Sequence, residues 1–144
     1  MTILNTAERG IDHVIVEVRS RGADAGRIPA SRRNEVLVRR IDGTFVTVRV
    51  KTRTGGTWQG TINDGDPEPV RDPGRFVVFV DLAEHPATCY VAPDWWFQRD
   101  VHRNHSAYLA RHPGPRPSRH HAIQLSRVVA WRERWDLLGL GEHQ

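Results

Sequence analysis

Lysine is nearly missing from this chain. Among 21 lysine and arginine residues in a length of 144, Lys51 is the only lysine. Arginine stays charged under all ordinary conditions, whereas a lysine ammonium shifts its pKa on burial, so a solitary lysine in an arginine-biased chain marks a position to inspect. Cysteine is also scarce. Cys89 stands alone, which excludes an internal disulfide framework and fits a reducing compartment. No apolar run approaches the roughly 18 residues that a membrane span needs, and the N-terminus lacks a basic flank followed by an apolar stretch. These absences point to a cytoplasmic protein with no membrane partner. No glycine-rich nucleotide motif, serine nucleophile elbow or internal repeat is visible, which leaves no hydrolase triad to defend.

What is present is the composition of one globular α/β domain spanning residues 1–144. Hydrophobic residues make up 38% and charged residues 26%, far from disordered values. The net charge of +4 and the pI near 10.2 suit a polyanionic partner such as nucleic acid. That excess reflects arginine preference, so charge alone does not separate a nucleic-acid binder from a bystander. The sequence leaves a homodimer open.

The most informative stretch is NEVLVRRIDGTFVTVRVKTRTGGTW, residues 34–58. It reads as a strand over Glu35–Arg39, a turn on Asp42-Gly43 and a longer strand over Thr44–Thr52. Asp-Gly between two alternating runs is a strong hairpin signal. Val46, Val48 and Val50 share one face, and Phe45, Thr47, Arg49 and Lys51 share the other. An antiparallel pair folded there brings Glu35, at one strand's start, beside Lys51, near the next strand's end.

The remaining pattern is helix, loop, strands, helix. Residues 6–21 have helical spacing at Ile11, Val14, Ile15 and Val18, with Thr6 as cap and Gly22 as stop. The β-branched residues keep a strand over His13–Val18 as an alternative. Residues 22–33 read as a loop whose Arg27, Arg32 and Arg33 flank the start of the hairpin. Thr57–Gly60 reads as a short edge strand, with Trp58 either a core anchor or a stacking platform for a base. A polar loop follows at residues 63–74; its acidic spacing does not match a calcium loop. Arg75–Leu82 is an apolar central strand and Ala87–Val91 the next. Pro93 opens a helix from Asp94 to Arg111, with Val101, Tyr108 and Leu109 as its buried positions. A proline-rich loop leads to a short strand near Ala122–Leu125. Ser126 then caps a final helix to Leu138, with Val128, Trp131, Trp135 and Leu138 on one stripe. His102, His105, His112, His120 and His121 invite a zinc site, but no cysteine lies near them.

A carboxylate on one strand followed by a strand ending in Val50-Lys51-Thr52 resembles the PD-(D/E)XK nuclease superfamily. The segments YVAPDWWFQRD and WRERWDLLGL resemble those of uncharacterised actinobacterial-type proteins carrying this core. The resemblance implies a restriction-endonuclease-like core, with a central mixed sheet of about four to five strands flanked by helices. It implies that Glu35 is the first metal-binding acid and that Lys51 positions or activates the attacking water. It also implies Mg²⁺ as cofactor, nucleic acid as substrate, and a glutamate from the first helix, Glu8 or less readily Asp12, as a further ligand. Arg49 departs from the pattern. It occupies the position two before the lysine, where the superfamily has a second acid or, in some branches, glutamine. Mg²⁺ is held by carboxylates and water, and a guanidinium repels it.

Two functions follow from these residues. One is divalent-metal-dependent phosphodiester hydrolysis, with Glu35, Arg49 and Lys51 at the centre, Glu8 and Glu35 on the metal, and Arg32, Arg33 and Arg53 on the nucleic acid. The other is a degenerate nuclease-like module in which Arg49 and Lys51 bind an anion, a nucleic acid or a protein. A solvated cross-strand charge ladder is the plainest alternative.

Overall fold

A computed structural model describes residues 4–29, 33–115 and 118–141. The first element is a helix, α1 (Thr6–Ser20), and the strand alternative for His13–Val18 falls away. Its cap is Asn5 rather than Thr6: the Asn5 side chain accepts a hydrogen bond from the Glu8 amide at 2.8 Å. Ile11, Val14 and Val18 are buried in one stripe. Gly10 lets α1 approach the sheet closely, because a Cβ there would lie 1.8 Å from the Thr52 hydroxyl.

The loop expected over residues 22–33 contains a short strand, β1 (Asp24–Arg27). Its sequence, Asp-Ala-Gly-Arg, carries no β-branched residue. Pairing with β2 (Glu35–Arg39) imposes the extended form. The hairpin forms as its pattern indicates. Residues 40–44 turn with Gly43 at φ 86°, and β3 (Phe45–Arg53) pairs antiparallel with β2, setting Glu35 opposite Arg49 and Leu37 opposite Thr47. Next come β4 (Trp58–Thr61) and a 3₁₀ turn at Ile62–Asp64. The chain then forms β5 (Arg75–Asp81), parallel to β3, and β6 (Thr88–Pro93), antiparallel to β5. The result is a five-stranded mixed sheet in the order β1-β2-β3-β5-β6. Helix α2 (Asp94–Arg111) follows, and β7 (His120–Ile123) pairs with β4 as a separate two-stranded ribbon.

The two faces of the large sheet bury different chemistry. α1 covers Val36, Val38, Val46, Val48, Val50, Val78 and Val80. α2 and the β4–β7 ribbon cover Val77, Phe79 and Tyr90 with Trp58, Phe97, Val101 and Ile123. Trp58 is thus a core anchor: it is fully buried and its indole N–H donates to the Val80 carbonyl at 2.9 Å. In α2, Val101 is buried as expected, but Tyr108 and Leu109 are exposed: they lie in its last turns, past the buried residues Asp94, Phe97, Asp100 and Val101.

The expected final helix is a correction. The segment forms separate 3₁₀ turns at Leu125–Arg127, Val129–Trp131 and Trp135–Leu138. Glu133 breaks the path at φ 50°. Its amide donates to the Cys89 carbonyl, and its carboxylate accepts from the Cys89 amide and the Trp135 indole. Arg132 bridges to Tyr90, so the chain rounds the β6 edge. The single apolar stripe is therefore split. Val128 packs under the α2 face, whereas Trp135 and Leu138 pack under the α1 face. No helix among the described residues is long and apolar enough to cross a membrane.

Candidate functional site

Side chains opposite each other in an antiparallel pair share a face, and alternate residues along a strand do likewise. Glu35, Arg49 and Lys51 consequently lie on one face of the sheet, the face covered by α2. β2 ends there. The Val50 amide donates to the Asn34 carbonyl at 3.0 Å, and β3 continues without β2 beside it to Arg53. The gap left by β2 is a cleft of about 680 Å³. Its floor is Arg49, Lys51 and Thr52; its walls include Arg33, Gln59 and Asp64, and Thr6 and Ala7 at the start of α1 also line it.

Arg49 is buried and held by two carboxylates. Its Nη1 donates to Asp64 Oδ1 at 3.0 Å and its Nη2 to Asp94 Oδ1 at 3.3 Å, with the guanidinium 5.2 Å from the Phe97 ring centre. Each acid is fixed by local structure. Asp64 ends the turn capped by Thr61, in which the Thr61 hydroxyl and the Asp64 carboxylate each accept a backbone N–H. That turn sits hard against α2: the Asp66 amide donates to the Gln98 carbonyl, and a Cβ on Gly65 would lie 3.1 Å from the His102 nitrogen. Asp94 opens α2, where a carboxylate is favourable, and accepts from Gln98 at 2.8 Å.

Lys51 is half-buried beside this cluster. Its ammonium donates to the Gln59 carbonyl at 3.1 Å and lies 5.6 Å from the Phe97 ring centre. Burial brings its pKa down to about 8, assisted by Arg49 and Arg33 and opposed by Asp64 and Asp94. The amine is still mostly charged at neutral pH, so the cleft presents Lys51 and Arg33 as cations.

The geometry gives several of the expected residues other partners. Glu35 shares the face with Lys51 and lies directly opposite Arg49, and its carboxylate accepts from Arg75 at 3.2 Å. Glu8 belongs to α1, which packs on the opposite face of the sheet, and it accepts from the Asn5 side chain at 3.2 Å. Glu8 and Glu35 are thus each engaged by another side chain, and the acids nearest Lys51 share the Arg49 guanidinium. Asp12 is exposed on α1. Arg53, offered as a phosphate contact, turns inward: it pairs with Asp81 at 2.7 Å, lies 4.1 Å from the Trp58 ring centre and donates to the Gly56 carbonyl. Arg32 lies outside the described residues. No group of three or more potential metal ligands occurs among the described residues, and the zinc set does not assemble. The buried His121 instead accepts at Nε2 from Arg127, since a guanidinium only donates.

Asp64 and Asp94 were not legible as site residues. Asp64 lies in a polar loop without a motif, and Asp94 reads as a helix-start charge. Their convergence on Arg49 depends on the packing of the Ile62–Asp64 turn against α2. Searches against protein-family models, curated proteins and solved structures gave no match to this chain.

Proposed function

We propose that the chain is a restriction-endonuclease-like core that binds the phosphate backbone of nucleic acid without a divalent metal. The observation that carries this reading is Arg49 bound between Asp64 and Asp94 with Lys51 beside it on the same strand. A guanidinium satisfies both carboxylates, and bringing a divalent cation to them requires expelling a buried, ion-paired arginine. Such pairs are costly to break because the groups left behind are buried and unpaired. Lys51 and Arg33 line the open cleft, and a pair of cations there favours an anion such as a phosphate.

Fluorescence anisotropy with labelled DNA and RNA oligonucleotides, with EDTA or with Mg²⁺ and Mn²⁺, tests this function. Binding is expected to be indifferent to EDTA, to weaken with rising salt as phosphate contacts do, and to weaken in Lys51→Ala. Metal-dependent cleavage that disappears in Lys51→Ala would reinstate the hydrolase with Mg²⁺ as cofactor and overturn the proposal.

A further inference from the structure

The α2 face of the sheet is only partly covered. α2 and the β4–β7 ribbon sit over the β3, β5 and β6 side, and the β1–β2 side stays open. Phe45 is 56% exposed there and Leu37 40%. Phe45 lies directly opposite Arg39 in the register, and a surface groove of about 510 Å³ joins both to Arg19 and Arg27. Phe45 and Lys51 belong to the same face of β3. They are six positions apart, roughly 20 Å at strand rise, with Thr47 and the buried Arg49 between them on that face. Between them, Glu35 is neutralised by Arg75.

Three features decide the occupant. In the groove Arg19 is paired with Asp24, and Arg39, on the face of Phe45, supplies the positive charge that favours a polyanion. The sheet edge is already capped: the Ala25 carbonyl accepts from Arg19 at 3.0 Å, and the Ala25 amide donates to Asp24 at 2.8 Å, so an added peptide strand finds those groups taken. A second copy placed by a twofold axis would set the same arginines against one another. A flat exposed phenyl ring beside arginines matches an unpaired base with its phosphate, and a duplex offers no free base face along its length.

We infer that the cleft is one end of a single-stranded nucleic-acid track, in which a base stacks on Phe45, Arg39 holds a phosphate, and the strand passes Leu37 and the Glu35–Arg75 pair to reach Lys51. This inference rests on the phosphate-binding reading of the cleft. It is tested by anisotropy with fluorescein-labelled oligothymidine of about ten nucleotides and with a blunt-ended, two-stranded duplex. The parent is expected to bind the oligothymidine more tightly than the duplex. Phe45→Ala is expected to weaken oligothymidine binding roughly tenfold, with Phe45→Trp restoring it and the urea midpoint of both variants matching the parent. Arg39→Ala is expected to flatten the salt dependence. Equal affinity for duplex and single strand, or a Phe45→Ala variant that binds like the parent, overturns the inference. Loss of binding in Lys51→Ala with an unaffected Phe45→Ala removes the track and leaves the cleft standing. A parent that binds no oligonucleotide removes both.

Discussion

The two faces of β3 solve burial in opposite ways. On one face Val46, Val48 and Val50 meet α1 with no charged group among the buried residues. On the other, Arg49 and Arg53 are drawn into an aromatic layer of Trp58, Phe79 and Phe97, and each guanidinium has its own carboxylate partner. The valine face owes its stability to removal of apolar area from water, which is non-directional and tolerant. The arginine face depends on complete pairing, because an unpaired buried charge costs far more than a lost methyl group. A face built for stability alone has no need of the second arrangement. Its presence beside an open cleft is what supports the proposed binding site.

The sharpest test of that contrast compares neighbours on one strand. Arg49→Ala leaves Asp64 and Asp94 facing each other without their cation, and a loss of about 3–5 kcal/mol is expected. Val48→Ala removes two buried methyl groups, with an expected loss of about 2 kcal/mol. Urea unfolding of both variants measures the difference. Restoration is equally informative: Arg49→Met combined with Asp64→Asn and Asp94→Asn removes every charge and is expected to regain much of the lost stability. If Val48→Ala proves the more damaging of the two neighbours, the arginine cluster is not integral to this face.

A smaller effect is expected where α1 meets the end of β3. Gly10→Ala places a methyl group against the Thr52 side chain, with its Cβ atom 2.8 Å away and its hydroxyl closer still. Overpacking of this kind costs about 1–3 kcal/mol. Thr52→Ala in the same chain removes the hydroxyl and is expected to recover part of the loss, as read by thermal unfolding. Because Thr6, Ala7 and Thr52 all line the cleft, Gly10→Ala is also expected to disturb oligonucleotide binding, whereas Val48→Ala, behind the sheet, is not.

These contrasts explain what the amino-acid sequence made legible. The hairpin was readable because Asp42-Gly43 and the alternating valines act locally and agree with each other. Lys51 and Arg49 were readable as a shared face for the same reason. Glu35 was placed on the correct face, but its ion-pair partner was not legible, since Arg75 arrives from a strand forty positions away in the chain. Asp64 owes its role to a turn seated on α2, which no periodicity announces. At the C-terminus, spacings of three and four residues fit a helix, yet they equally describe a chain that rounds the β6 edge and buries Val128 on one side and Trp135 on the other. β1 was invisible because its residues have no preference for the strand they complete.

The gentlest probe of the charged face is pH, and Lys51 makes stability and binding respond in opposite directions. Its folded pKa is about 8, below the ordinary 10.5, with burial as the leading cause. Below pH 8 the amine carries its proton in both folded and unfolded chains, and it contributes no pH dependence. From pH 8 to 10.5 only the unfolded chain holds that proton, so stability from this group rises with pH through that window. An anion in the cleft needs the charged amine. Above pH 8 the free protein must take up a proton to bind, and affinity is expected to fall by up to about tenfold per pH unit. Lys51→Arg stays charged and is expected to bind without that decline, while Lys51→Met is expected to abolish both the decline and the gain in stability. Urea midpoints and oligonucleotide affinities measured from pH 7 to 10 separate the two effects. If affinity in the parent and in Lys51→Arg falls in parallel, the amine is not the group that holds the anion.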